Sequence, residues 1–263
     1  MNQRRDRKER SVGAVKTALK YAFSLHEDTA HNDEIRDRLL SGGKVTGTNL
    51  CVMICAVIIA SAGLNVNSTA VIIGAMLISP LMGSLLAIAY GTASADPFTT
   101  ERHLIGFLFQ VLASIAAATV YFLLSPVKEA TPELLARTSP TFFDVVIAVT
   151  GGVAGIIGQT RKDKANNIIP GVAIATALMP PLATCGYSIA NRNWTMLGGA
   201  LYLFVINSYF IYFSADVILT VLSIPKVREF TPEEWRKKQR RMLRNAVLIA
   251  IPAIVFTFMI SNT

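Results

Sequence analysis

Long uncharged apolar stretches alternate with short charged segments along most of this chain of 263 residues. A helix needs about 20 mostly apolar residues to cross the hydrocarbon core of a bilayer, and seven stretches approach that length. We therefore predict an all-α polytopic membrane protein with seven transmembrane helices. The predicted helices span residues 48–64, 68–91, 104–124, 142–159, 168–190, 195–223 and 245–261.

The charged residues cluster outside these stretches and divide the chain into four parts. The predicted parts are an interfacial amphipathic helical segment at residues 1–46, a transmembrane core at 47–225, a basic amphipathic loop or helix at 226–244, and a final transmembrane helix at 245–263. We expect the first and the third part to lie on the cytoplasmic side, where loops of membrane proteins collect Lys and Arg.

Five basic side chains are candidates for contact with anionic lipid. Lys16 and Lys20 stand between apolar positions at helical spacing, a pattern typical of a helix that lies along the membrane surface. Arg236, Arg240 and Arg241 belong to the second basic segment. Anionic lipid headgroups attract such clusters next to a membrane span. The expected partners therefore include the bilayer and its anionic lipids.

The distribution of Lys and Arg also predicts the orientation. If the N-terminus is inside, the cytoplasmic segments hold 22 of the 25 Lys and Arg residues and the external segments hold 3. The positive-inside rule favours this arrangement, with a cytoplasmic N-terminus and an external C-terminus. The same rule accounts for the net charge of +8, so we expect no nucleic-acid partner.

Spans one to three resemble spans four to six. When the fifth span is aligned with the second at an offset of 101 residues, Pro80 falls on Pro181 and several Val, Ile and Leu positions coincide. Three is an odd number, so the second unit enters the membrane from the opposite side. The pattern predicts an inverted repeat, as in many secondary transporters, with repeat units at 48–124 and 142–223 and one extra helix.

Prolines interrupt the second and the fifth span, at Pro80 and at the pair Pro180 and Pro181. A proline frees a backbone carbonyl one turn earlier, which in lipid must find another partner or line a wet cavity. We therefore expect a pathway for a small ion or polar solute at two broken helices. That the prolines only bend the helices for packing stays an open alternative. The polar residues expected along the pathway are Asn67, Ser68, Ser79, Asn167, Thr176 and Thr184.

Asp216 is the one acidic residue well inside a predicted span. A buried charge in a membrane is costly unless it is paired, hydrated or protonated. Asp216 is therefore either a proton or cation carrier on the pathway or a member of a structural ion pair. Arg161, Lys162 and Lys164 are the partners expected for such a pair.

Enzyme, metal and cofactor motifs are not found in the sequence. It contains no G-x-S-x-G, H-E-x-x-H or phosphate-binding loop. His26 and His31 lack the spacing of a metal site, and the three cysteines lie in apolar spans. We therefore expect a protein that is not an enzyme and that needs no cofactor or metal.

Two stretches resemble a known family. NSTAVIIGAMLISPLMGSLLAIAYG, at residues 67–91, and GVAIATALMPPLATCGYSIA, at residues 171–190, are similar to the prokaryotic membrane family known only as domain of unknown function 389. The resemblance covers roughly residues 45–225. It implies a polytopic protein of the prokaryotic inner membrane and no particular activity.

Two hypotheses for the function follow. The first is a transporter or channel for a small ion or polar solute, acting as a homo-oligomer. The alternative is a non-transporting membrane sensor or scaffold that acts through its basic cytoplasmic segments. A transporter needs a hydrated polar cavity at Pro80 and Pro181, whereas a scaffold packs apolar side chains there.

Overall fold

The computed structural model describes residues 28–162 and 168–261, with side chains described at 28–162 and 178–258. This part of the chain contains ten α-helices. They are α1 (Asn32–Gly42), α2 (Gly47–Asn65), α3 (Thr69–Leu77), α4 (Leu81–Ala93), α5 (Pro97–Leu124), α6 (Pro132–Leu135), α7 (Phe142–Thr160), α8 (Ile168–Ala190), α9 (Trp194–Val221) and α10 (Pro232–Ser261).

Several of these helices have the length and the composition of membrane spans. Within the described ranges, α2, α5, α7, α9 and α10 each pass that test, and the bent pair of α3 and α4 makes a sixth if it is one span. The all-helical architecture is therefore confirmed, and the apolar helices indicate a multi-pass membrane protein. The count of seven spans, which includes α8, stays a prediction.

The helices form one bundle in which α9 packs against α4, α7 and α8, while α5 packs against α4 and α8. The short helix α1 lies against α4 and α7 and buries Ile35 and Leu39 completely or nearly so. Arg38 holds α1 in place, because its Nη1 donates a hydrogen bond of 2.6 Å to the carbonyl of Arg161 at the end of α7.

The second basic segment and the final predicted span are joined. α10 begins at Pro232, where the Thr231 hydroxyl accepts from the Glu234 N–H at 3.2 Å and the Glu234 carboxylate accepts from the Thr231 N–H at 3.0 Å. This reciprocal capping fixes the start of the helix. The helix then continues through Pro252 to Ser261 without a boundary at residue 245. The basic residues from 232 onward and the apolar span thus lie on one continuous helix.

The turns that precede α5 and α9 have the same geometry. Ala95 and Arg192, 97 positions apart, have φ angles of 56° and 54°. Asp96 and Asn193 follow them, and each side chain accepts a hydrogen bond of 3.1 Å from the N–H three residues later. Both following helices have 28 residues. The two halves of the chain therefore share a local structure at this point.

The prolines do not match when the two halves are aligned on these turns. Pro80 lies 15 positions before Ala95, whereas Pro181 lies 11 positions before Arg192. The four-residue difference corresponds to roughly one helical turn, or about 6 Å along the axis. The prolines therefore align at an offset of 101 residues, whereas the turns align at an offset of 97 residues.

Candidate functional site

The chain is broken at Pro80. α3 ends at Leu77, α4 begins at Leu81, and the two axes are bent by 50°. The Ser79 N–H donates to the Met76 carbonyl at 3.2 Å. From the backbone and side chains that the structure describes, no hydrogen bond reaches the carbonyl oxygens of residues 77–79. The break that Pro80 predicts is thus confirmed, and within the described residues three carbonyls at this place have no hydrogen-bond partner.

The break lies near the middle of the neighbouring helix α5. One turn beyond Pro80, the Ser84 hydroxyl donates a hydrogen bond of 2.9 Å to Gln110, the residue halfway along α5. Four residues of helix rise about 6 Å, so Pro80 is close to the level of Gln110. Since α5 has the length and hydropathy of a membrane span, the break is level with the middle of a candidate span.

Buried polar side chains extend from this region into the bundle. Ser84, Gln110 and Ser114 are at most 1% exposed, and the Ser114 hydroxyl donates to the Gln110 carbonyl at 2.8 Å. The hydroxyls of Ser61 and Thr184 are fully buried and have no hydrogen-bond partner among the described residues. Sequence reasoning did not place Ser84 at the site, although a serine one turn after the proline was a signal for it.

The second proline pair does not break its helix. Pro180 and Pro181 are buried inside α8, which runs without interruption from residue 168 to residue 190. Leu178, Met179 and Leu182 around them are at most 1% exposed and belong to the main hydrophobic core. The prediction of a second broken span is therefore wrong. Prolines are tolerated within membrane helices when neighbouring elements support the backbone, and six of the described helices contact α8.

Residues 77–80, which include these carbonyls, lie at the outer surface of the helix bundle. Leu77 is 50% exposed and Ile78 is 46% exposed, while Ser79 and Pro80 are partly buried. On the same face of α3, a Cβ added to Gly74 would meet no atom within 4 Å. A single chain therefore does not enclose the break.

Asn67 and Ser68 lie at the far end of α3 and not at the break. Asn67 has a φ of 53°, and its side-chain oxygen accepts from the Glu133 N–H at 3.1 Å. The Ser68 N–H donates to the Gly63 carbonyl at 2.8 Å. The nine residues of α3 place them roughly 14 Å from the break. Asn67 therefore holds the turn and the loop that contains α6.

Asp216 is buried and paired with Lys238. Its carboxylate is 4% exposed, and the Lys238 ammonium donates to it at 2.9 Å and to the Thr92 carbonyl at 3.0 Å. Thr92 lies 12 positions after Pro80, which corresponds to roughly 18 Å along α4. The structure thus separates Asp216 from the break and gives it a structural partner.

That partner differs from those expected. Arg161 pairs instead with Asp28, at 2.8 Å, and the Lys162 N–H bonds to the Asp28 carbonyl. Lys164 lies outside the described residues. Sequence reasoning missed Lys238 because it treated residues 226–244 as a unit apart from the transmembrane core.

Aromatic rings surround the Lys238 ammonium. It lies 5.6 Å from the centre of the Phe230 ring and 5.5 Å from that of Trp235, and Lys226 lies 5.4 Å from the Trp235 ring. Cations over ring faces gain electrostatic attraction, most of all when they are shielded from water. These contacts help to hold residues 226–230 against the first turns of α10.

The remaining predicted residues are in various places. Asn167, Lys16 and Lys20 lie outside the described residues, and Thr176 belongs to α8 at a position where no side chain is described. Arg236, Arg240 and Arg241 are exposed on α10. In the described part of the chain, no three His, Cys, Asp or Glu side chains group as a metal would require.

Comparisons with known proteins give one family match and one relative. A family model described as domain of unknown function 389 matches residues 76–213, a stretch that contains both proline sites and ends before Asp216. The chain is also 30% identical, over 189 residues or 72% of its length, to an uncharacterised protein of Methanocaldococcus jannaschii. It spans 58% of the length of that relative. No solved structure matches the chain.

Proposed function

The chain belongs to the family described as domain of unknown function 389, and from the geometry at Pro80 we propose that it is a transporter or channel for a small ion or polar solute. It acts in the prokaryotic inner membrane with a cytoplasmic N-terminus and an external C-terminus. The concentration of Lys and Arg in alternate loops supports this orientation.

The observation that carries the proposal is that the carbonyl oxygens of residues 77–79 accept no hydrogen bond from the described residues. Hydrocarbon offers no hydrogen-bond donor, so each unpaired backbone group in lipid costs several kcal/mol. Three oxygens at one mid-membrane position are tolerated where they meet water, a cation or the donor groups of a polar solute. Unwound backbone carbonyls serve as cation ligands in transporters whose helices are broken at the midplane.

The exposure of the break supports a pathway between copies of the chain. Leu77 and Ile78 are about half exposed, so a single chain leaves the carbonyls next to lipid. In a homo-oligomer, α3 of each copy faces a shared axis and the same carbonyls from every copy surround it. Rings of backbone carbonyls of this kind select ions in channels.

The matching turns support the inverted repeat at 48–124 and 142–223. Ala95 and Arg192 begin equivalent helices of 28 residues, 97 positions apart. In many transporters, two such units of opposite orientation enclose the site. Here the halves differ at the site itself, because only the first unit has a broken helix. We therefore place the pathway at Pro80 and assign Pro180 and Pro181 to packing.

The alternative, a sensor or scaffold, is favoured by one observation. The described surroundings of Pro180 and Pro181 are apolar, with Leu178, Met179 and Leu182 packed in the core. A protein that transports nothing has no need of a wet site, and its exposed basic helix α10 is then the functional surface.

The test is ion flux into proteoliposomes that contain the purified full-length protein, under imposed gradients of protons, sodium, potassium or chloride. Pro80→Ala restores an N–H donor at the break, so we expect it to reduce flux by at least about tenfold, the effect of one to two kcal/mol. Pro252→Ala is the matched control, because Pro252 also lies inside a membrane helix but on the periphery. Absence of flux under every gradient contradicts the proposal and favours the scaffold.

A further inference from the structure

A cavity of about 650 Å³ lies between the turn that joins α4 to α5 and the basic part of α10. Its apolar lining includes Ala95, Leu104, Tyr212, Phe230 and Met242. A cavity of this volume is within the range that accommodates a small-molecule ligand. Neither the break nor its free carbonyls contribute to the lining, so the cavity is separate from the proposed pathway.

Two cationic side chains of the lining have no ion-pair partner among the described residues. Arg228 pairs with Glu234 at 3.3 Å, and Lys238 is held by Asp216. Lys237 and Arg241 also line the cavity, and neither forms an ion pair with the described residues. They are four positions apart on α10 and therefore lie on one face of the helix.

The acidic residues of the lining are mostly engaged elsewhere. The Asp96 carboxylate accepts from the Thr99 hydroxyl at 2.6 Å and from its N–H at 3.1 Å, and these bonds lower the pKa of Asp96. Glu234 caps α10 and pairs with Arg228. Glu101 is the acid of the lining without such a bond in the described residues. The cavity thus offers more free positive charge than negative charge.

The position of the cavity on α10 indicates where its ligand resides. Residues 232–244 of this helix are rich in Lys and Arg, whereas residues 245–261 contain no charge. Arg241 and Met242, at this boundary, both line the cavity, opposite Leu104 of α5. In a bilayer, such a boundary is where the headgroups meet the acyl chains.

We propose that this cavity binds an anionic phospholipid, with its phosphate between Lys237 and Arg241 and its upper acyl chain against Leu104, Phe230 and Met242. The shared chemistry is a phosphate-bearing anion, and the apolar lining favours a lipid over free phosphate. The proposal does not depend on transport, since a sensor or a scaffold can bind lipid at the same place.

The test is equilibrium binding of short-chain dioctanoyl phosphatidylglycerol to the purified full-length protein in an uncharged detergent. Dioctanoyl phosphatidylcholine and inorganic phosphate are the comparison ligands. The double variant Lys237→Gln/Arg241→Gln should bind phosphatidylglycerol roughly 30-fold more weakly, the combined effect of two interfacial cations. The control, Arg102→Gln/Arg244→Gln, removes the same charge from α5 and α10 at exposed positions outside the cavity lining, and should change binding little.

A second pair of variants tests the apolar part. Leu104→Trp adds bulk inside the cavity, whereas Leu108→Trp adds it one turn further along α5, outside the lining. We expect weaker binding with the first variant alone. If both double variants lose the same affinity for phosphatidylglycerol, the loss reflects the net charge of the protein and not the cavity, which overturns the proposal. Equal affinity for phosphatidylcholine overturns it as well, and equal affinity for inorganic phosphate overturns the lipid assignment.

Discussion

Lys238 of α10 donates a hydrogen bond of 2.9 Å to Asp216 of α9, with the two side chains 16% and 4% exposed. This contact matters because α10 is the most peripheral of the candidate spans, with 11% of its apolar window buried. Tyr209 and Tyr202 of α9 add hydrogen bonds to the carbonyls of Met242 and Ile249. Asp216 thus helps to attach the last helix to the bundle.

The pair can be tested by a double-mutant cycle. Lys238→Met leaves a buried carboxylate without a partner, so we expect a loss of about 3 kcal/mol in the free energy of unfolding. The double variant Asp216→Asn/Lys238→Met removes both charges and should recover much of that loss. Unfolding in detergent followed by circular dichroism measures both values. Strictly additive losses would contradict a direct pair.

Flux measurements separate the two interpretations of Asp216. We expect the double variant, once reconstituted, to keep the flux of the wild type. Lys238, the partner of Asp216, also contacts Thr92, which is roughly 18 Å from the break along α4. Loss of flux in a correctly folded double variant would place Asp216 on the pathway and contradict its structural assignment.

The helices could be predicted from the hydrophobicity of the sequence, whereas the geometry of the candidate site depends on tertiary contacts that the sequence pattern does not show. The apolar stretches are long enough that lipid alone dictates helices, and Pro80 breaks its span as the local proline rule requires. The same rule fails at Pro180 and Pro181, because it takes no account of the helices that support α8. The partner of Asp216 depends on how α10 docks, which no local pattern specifies.

The close approach of α1 to α4 depends on Gly83. A Cβ at this position would collide with the carbonyl of Gly42, which is backbone and cannot move aside. We expect Gly83→Ala to lower the free energy of unfolding by about 2 kcal/mol. Gly74→Ala is the control, since its Cβ meets nothing within 4 Å and alanine favours the helix. Equal stability of the two variants in thermal unfolding would contradict the packing described for α1.

Self-association is tested on the exposed face of α3. Small residues let membrane helices approach closely, so a leucine at Gly74 should keep a second copy away. We expect Gly74→Leu to weaken self-association at least about tenfold, as loss of close helix packing does. Gly198→Leu is the control, because Gly198 is equally open to its surroundings but lies on α9. Sedimentation equilibrium in density-matched detergent measures the self-association of both variants. An equal effect of the two substitutions would show that α3 does not form the interface between copies.

The most direct test of the central claim is the water accessibility of the break. In a variant whose Cys51, Cys55 and Cys185 are replaced by alanine, a cysteine is introduced by Ile78→Cys or, as the control, by Leu108→Cys. The two positions are 46% and 52% exposed on the isolated chain, and both lie close to the level of Gln110, halfway along α5. A thiol reacts as the thiolate, which forms in water and not in lipid.

We predict that a charged, membrane-impermeant methanethiosulfonate reagent modifies the cysteine of Ile78→Cys in proteoliposomes and blocks flux, while that of Leu108→Cys stays unmodified. Modification at neither position would show that the break is dry, and would contradict the assignment of a pathway at Pro80.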